Sequence, residues 1–329
     1  MTAVQTLASN ANPPTRTGKL RSGSIVNIVL ITAVVALLVY GQLTQPTFLS
    51  MDNLITVLRA AALTGIAAIG MTFLTLSGNF VSLSTEQTAI FSGIVFAMSL
   101  AAGWPLLPAI LVTFVVAVVL GVIQGAVVAL GMNAIVTTLG AGAAILGLAS
   151  VITANRTINT HTDTANWLGT SRPLGVPIQV IIFAVLVAVT MVVLKKTTFG
   201  RSVMLLGENR EAAKASGLKV ASVIIRSFII AAVFAAICGI LLISQVTQAK
   251  TTNFDGLNID VVAAVLIGGT AIGGGEGSTL RTALGAIFIA LLTNYMLISQ
   301  FPYGERLVIQ GLVVAVAVVG FHLMRKKAK

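Results

Sequence analysis

A polar run at residues 77–88, SGNFVSLSTEQT, interrupts long apolar sequence and gathers groups that hydrogen-bond well to hydroxyls. Asn79, Ser82, Ser84 and Gln87 supply neutral donors and acceptors, and Glu86 adds the one carboxylate expected close to an otherwise apolar stretch. This set suits recognition of a polar, uncharged solute better than bond-making chemistry. Asn133, Thr137 and Asn294 are the other residues expected along a solute path, and Thr138, Gln245, Thr293 and Gln310 also lie in apolar surroundings. A polar side chain inside a membrane costs free energy unless it is paired or wetted, so each is a functional candidate by default. A single Ser or Thr more commonly bonds its own helix backbone.

Catalysis has little to stand on. The two histidines, His161 in a polar loop and His322 near the C-terminus, form no HExxH or other metal-ligand spacing, so no metal is expected. Cys238 is the lone cysteine and sits in an apolar run, where it reads as filler and excludes an intramolecular disulfide. The segment IGGTAIGGGEGST carries Gly268, Gly269, Gly273, Gly274, Gly275 and Gly277 but lacks the Lys-Ser or Lys-Thr ending of a phosphate-binding loop. These glycines are expected to be structural, giving a tight backbone path between two spans, and no cofactor is expected in this chain.

The elements that must position the polar run are membrane helices. The chain is 57% hydrophobic and 9% charged, with a mean hydropathy of +1.01, which leaves too little polar surface for a soluble fold. Apolar windows fall near residues 25–43, 54–77, 87–103, 105–130, 134–153, 175–194, 223–244, 259–275, 282–300 and 306–324. The expected fold is thus an all-α polytopic bundle of about ten spans. The third and eighth are short and studded with Gly, Ser or Thr, the pattern of broken or re-entrant segments. Gly121 with Gly125, and Gly140 with Gly142, mark close helix approaches.

Charge sets the orientation. Residues 195–226 (KKTTFGRSVMLLGENREAAKASGLKVASVIIR) form a basic island with seven of the chain's twenty Lys and Arg. The island cannot sit in lipid and must lie in water on the side that favours cations. With ten spans, Arg16, Lys19, Arg21, Arg281, Arg325, Lys326, Lys327 and Lys329 fall on that same side, which places both termini in the cytoplasm. Trp104 and Trp167 then belong near the outer interface. Residues 1–24 read as a disordered cytoplasmic tail and 25–329 as one transmembrane domain, with residues 195–226 as its cytoplasmic loop. The net charge of +11 serves topology, and nucleic-acid binding is not expected because no basic patch is interleaved with exposed aromatics.

Within the island, residues 208–219 have helical spacing. Ala212, Ala213 and Ala215, beside Glu208, Asn209 and Glu211, give a small-residue face able to seat in a partner's groove, and Gly217 ends the helix.

Three ordered blocks resemble the permease subunits of bacterial ATP-binding-cassette importers for ribose and related sugars. They are PTFLSMDNLITVLRAAALTGIAAIGMTFLTLSG (46–78), GRSVMLLGENREAAKASGLKV (200–220) and IDVVAAVLIGGTAIGGGEGSTLRTALGA (259–286). The segment MNAIVTTLGAGAAILGLA (132–149) is similar to a further helix start of that family, and the likeness covers nearly all of the chain after the tail. The resemblance implies a pore of two permease copies in the bacterial cytoplasmic membrane. It also implies a pair of cytoplasmic ATPases that bind ATP and magnesium and dock on the island, and an external solute-binding protein. The polar run departs from the family pattern, reading GNFVSLSTE where the family has GGIDLSVGS, so that Val81 stands in place of an aspartate. The Glu86–Gln87 pair resembles a segment of the related nucleoside importers, which keeps a nucleoside open as an alternative solute. A stand-alone ion-coupled carrier, with Glu86 as its coupling carboxylate, is the alternative of a different class.

Overall fold

The computed structural model describes residues 18–79, 81–160 and 165–327. Among these the chain forms α1 (Gly18–Thr44), α2 (Met51–Leu76), α3 (Thr85–Ala101), α4 (Leu106–Ala129), α5 (Ala134–Thr153), α6 (Asn166–Thr170) and α7 (Ile178–Lys196). There follow α8 (Thr198–Glu208), α9 (Arg210–Ala215), α10 (Val220–Val246), α11 (Leu257–Ile267), α12 (Thr279–Ile298) and α13 (Tyr303–Lys327). Residues 18–24, expected in the tail, are helical, while 1–17 and His161 lie outside the described residues.

Every expected span coincides with a helix, but among the described residues eight rather than ten are long and apolar enough to cross a membrane: α1, α2, α4, α5, α7, α10, α12 and α13. The exceptions are the two segments that looked broken. α3 has 17 residues and α11 has 11, or roughly 25 Å and 16 Å of helix against a hydrocarbon thickness of about 30 Å. Each therefore begins or ends inside the bundle, where only protein can satisfy its free backbone groups.

α2 and α10 form the centre and are buried over most of their length. Around them a core of Met71, Ile94, Phe96, Leu100, Cys238, Ile243, Val261 and Val265 joins α2, α3, α10 and α11. α4 lies on α10 through its two spaced glycines. A β-carbon at Gly121 would come within 2.7 Å of the Ile229 Cα, and one at Gly125 within 2.8 Å of the Ile225 Cα, so the two backbones touch where larger residues would separate them. The other face of α4 exposes Leu111, Val115, Val119 and Val122, an apolar stripe at helical spacing suited to lipid. Of the second glycine pair, Gly142 faces the bundle while a β-carbon at Gly140 would meet open space.

The island is folded against the bundle. Val203 and Leu206 of α8 and Ala213 of α9 enter a core with Phe73, Leu74, Leu76, Ile224 and Phe228 from α2 and α10. Phe199 stacks on Phe73 with centroids 6.2 Å apart. At the opposite end of the bundle two short strands, β1 (Ile158–Asn159) and β2 (Gln248–Ala249), pair antiparallel. No apolar alternation announces them; they are two residues each and are fixed by Thr160, whose N–H donates to the Thr247 carbonyl at 3.0 Å.

Replacing Gly121 by Leu would wedge α4 away from α10. Overpacking of this kind costs about 1–3 kcal/mol, and the expected outcome is a lowered thermal midpoint of the detergent-purified protein, with Gly140→Leu, which points into open space, leaving it close to wild type.

Candidate functional site

The non-helical residues ahead of α3 carry the polar run back into the bundle. Ser82 and Ser84 share a hydroxyl–hydroxyl bond of 3.0 Å, and the Ser84 hydroxyl donates to Gln124 Oε1 of α4 at 2.6 Å. The Leu83 N–H donates to Thr138 Oγ1 of α5 at 3.0 Å. Ser82, Ser84, Gln124 and Thr138 are all buried. Beside them, Ser82, Ser84, Thr85, Thr88 and Gln124 line a cavity of about 10 Å³ closed by Leu74, Phe228 and Ala231. That is roughly the space of one water molecule.

The start of α3 meets the start of α11. Neither helix has a side-chain cap of its own: Ser84 makes none for α3, and Gly256 has none to offer α11. Each is capped by the other. The Glu86 N–H donates to Asn258 Oδ1 at 3.0 Å, and the Asn258 N–H donates to Glu86 Oε2 at 3.1 Å. Asn258 Nδ2 also donates to the Leu83 carbonyl at 2.9 Å and to Gln87 Oε1 at 3.3 Å. A carboxylate in the first turn of one helix and at the start of a second is favoured by both helix dipoles.

A second carboxylate, unforeseen, lies one turn into α11: Asp260 accepts from Gln310 Nε2 of α13. Glu86 is thus not the only acid in apolar surroundings. Asp260 and Asn258 were hidden because IDVVAAVLIGG reads as the start of an ordinary apolar span, although an Asp one residue into such a run is itself the signal.

The other expected path residues go elsewhere. Asn79 Nδ2 donates to Ser77 Oγ at 2.8 Å and finishes α2. Asn133 is exposed and caps α5, its Oδ1 accepting from Ile135 and Val136. Asn294 exchanges amide bonds of 2.8 Å and 3.0 Å with Asn53, joining α12 to the start of α2. Thr137 lies on α5 beside Thr138, but it is Thr138 that bonds the polar run.

At the island end, the last turn of α8 and the glycine turns after α2 and α11 touch backbone to backbone. A β-carbon at Gly207 would overlap the Leu76 carbonyl and the Gly275 nitrogen, and one at Gly274 would reach the Gly78 nitrogen at 2.7 Å and the Gly207 Cα at 2.9 Å. The Gly275 N–H donates to the Leu76 carbonyl at 2.9 Å, and its φ of +75° is one that L-residues avoid. Gly268 caps α11, Gly269 turns the chain at φ +70°, a β-carbon at Gly277 would press on Leu76 and Thr270, and Gly273 stays open. Gly273 borders, with Ser77, Gly207, Glu208, Asn209 and Arg210, a polar cavity of about 150 Å³.

The helix expected over 208–219 is shorter: Glu208 ends α8, α9 covers Arg210–Ala215, and 216–219 are non-helical. Asn209 breaks it, with φ −158°, and its Oδ1 accepts from the Ala212 N–H, which makes it the cap of α9. The Gly217 N–H bonds Lys214 O and the Leu218 N–H bonds Ala213 O, closing α9 with a Schellman turn. Ala213 faces the core rather than a partner, while Glu208, Glu211, Ala212 and Ala215 are exposed.

A family model described as "Branched-chain amino acid transport system / permease component" matches residues 53–318. The chain belongs to this permease family. Among curated proteins, the ribose import permease protein RbsC of Haemophilus influenzae is 29% identical, covering 92% of this chain and 94% of its own length. The probable ABC transporter permease protein YphD of Escherichia coli is 32% identical over 93% and 92%, and the L-arabinose transport system permease protein AraH of Escherichia coli 29% identical over 86% and 86%. No solved structure matches. Among the described residues of the permease, no group of three or more His, Cys, Asp or Glu is placed to hold a metal ion.

Gly207 is the most constrained residue of the permease's island end. Gly207→Ala would drive a methyl group into two backbones, and strain of about 1–3 kcal/mol is expected. Limited proteolysis of membrane vesicles would read it as faster cleavage between α8 and α10.

Proposed function

We propose that this permease is the membrane-spanning subunit of an ATP-binding-cassette importer that carries a monosaccharide, ribose-like or a related polyol, across the bacterial cytoplasmic membrane. The observation that carries the reading is α9. A six-residue helix is too short to hold itself in water, yet here it is capped at both ends by Asn209 and Gly217 and pinned by buried Ala213. The outward face left free, with Glu211, Ala212 and Ala215, is small and rigid, which suits it to a groove in a partner.

The partner is a cytoplasmic ATPase that binds ATP and magnesium; the permease itself does no chemistry. A second permease copy completes the pore, surrounding lipid covers the apolar stripes, and an external solute-binding protein delivers the sugar. The ribose and arabinose relatives support a monosaccharide, and the neutral hydrogen-bonding groups around Ser82, Ser84, Gln87 and Gln124 support a polyhydroxylated one. Both termini lie in the cytoplasm, with the island, as the distribution of Lys and Arg favours; this requires α3 and α11 each to complete a crossing together with the non-helical chain ahead of it, bringing the crossings to ten. Glu86, the acid that a stand-alone ion-coupled carrier would rely on, is engaged in capping α11, which counts against that alternative.

Glu211→Arg reverses the charge of the exposed α9 face without touching the core. Purified from its native membrane with an affinity tag, the wild-type chain is expected to bring down an ATPase subunit, and the variant to lose at least about tenfold of it, since removing a charge-assisted interfacial contact costs roughly 1.5–3 kcal/mol. Equal recovery from both would rule α9 out as the docking element.

A further inference from the structure

α11 touches both functional regions of the permease at the level of its backbone. Its C-terminal end leads through Gly268 and Gly269 into the loop whose Gly274 and Gly275 are wedged against Gly207 of the island and Leu76 of α2. Its N-terminal end is cross-capped with α3 by the Glu86–Asn258 pair, and Asn258 also holds the Leu83 carbonyl and Gln87. Between these joints run 11 residues of helix.

We propose that α11 is the connecting rod of this permease, carrying movement of the island to the polar run ahead of α3, and that Glu86 and Asn258 are the positioning residues forming its far joint. The proposal rests on the functional reading above.

The physical case has three parts. Close contact between glycine backbones leaves little slack at the island joint, because a displacement of α8 meets the Gly275 nitrogen and Glu208 packs on Gly275 directly. A hydrogen-bonded helix, continued by a loop that is itself braced by bonds such as Thr270 N–H to Val265 O and Gly274 N–H to Ala271 O, transmits push as well as pull, whereas the non-helical residues Val81 to Ser84 of the competing route transmit only pull. At the far joint, two helix starts inside the bundle have no caps except one another, so separating them exposes N–H groups that have no water to turn to. They therefore move together, and Leu83 and Gln87 move with Asn258. Asp260, bonded to Gln310, ties α13 to the same rod two residues further along.

The test uses the intact complex of the permease with its ATPase, purified from native membrane into nanodiscs. Hydrogen–deuterium exchange is followed with and without magnesium and a non-hydrolysable ATP analogue. In wild type, nucleotide is expected to change exchange in residues 268–278 and in residues 82–88. Asn258→Ala and Glu86→Ala should each keep the response of 268–278 and lose that of 82–88, and the double variant should lose no more than either alone. Glu86→Gln, whose amide oxygen still accepts from the Asn258 N–H, should restore the response at 82–88, which a purely structural weakening of the bundle would not do.

A response at 82–88 that survives Asn258→Ala would overturn the proposal in favour of the direct chain route. So would a wild-type complex in which 82–88 never responds, or a Glu86→Gln variant as silent as Glu86→Ala. A wild-type chain that brings down no ATPase would overturn the functional reading itself, and this inference with it.

Discussion

The fold is governed by the rule that a backbone N–H or C=O inside hydrocarbon must find its partner within the protein. Among the described residues, eight helices are long and apolar enough to obey it by crossing outright. α3 and α11 do not, and their first turns would leave donors unsatisfied at a cost of several kcal/mol per group. The cross-cap between Glu86 and Asn258 resolves this with one side chain from each helix. The remaining polar residues of the region serve the same need: Thr138 takes the Leu83 N–H and Asn258 takes its carbonyl. What looks in sequence like a cluster of recognition groups is also the device that lets two helices start inside the bundle.

The same economy operates at the island. α8 and α9 could have been loosely tethered by their loops, but α8 enters at Gly207 so closely that no side chain fits between it, the end of α2 and the loop after α11. Glycine gives up packing and conformational order elsewhere; here it lets three backbones meet directly, so that the basic surface and the bundle form one body. The island's cations are thus mounted on a rigid piece. Lys195 and Lys196 close the last turn of α7, where cations are favoured by the helix dipole.

The spans were legible in the sequence because twenty consecutive apolar residues admit few other readings, and the two interrupted ones were legible from their length and their Gly, Ser and Thr content. The island and the glycine cluster could be read as separate features. Their contact could not, since Gly207 and Gly275 are far apart in sequence and neither carries a side chain to signal a partner. Pairing was equally hidden among the polar residues. Asn133 and Asn294 have the same composition-level signature as Ser84 or Gln87, yet one caps a helix and the other meets Asn53 at the far end of α2. Asn258 carries no signal of its own, since an Asn at the head of an apolar run reads as an ordinary helix start. The split of the island helix at Asn209 was readable in principle, since Asn favours caps over helix interiors.

The polar run is closed in this conformation. Its cavity of about 10 Å³ stands against the roughly 300 Å³ or more of sites that enclose small molecules, and the hydroxyls of Ser82 and Ser84 are spent on each other and on Gln124. On the proposed reading of the run as solute path, opening it must break bonds such as Ser84–Gln124 and Leu83–Thr138. In a dry bundle that would be prohibitive if the groups were left bare, but a polyhydroxylated solute can replace each bond with one of its own. Exchange of neutral hydrogen bonds is nearly balanced, with a net of about 0.5–1.5 kcal/mol per bond, whereas releasing a buried ion pair would cost several. Neutral Ser, Thr and Gln at the points that would part, and a carboxylate only at the joint that would hold, is the division this physics requires of the proposed path.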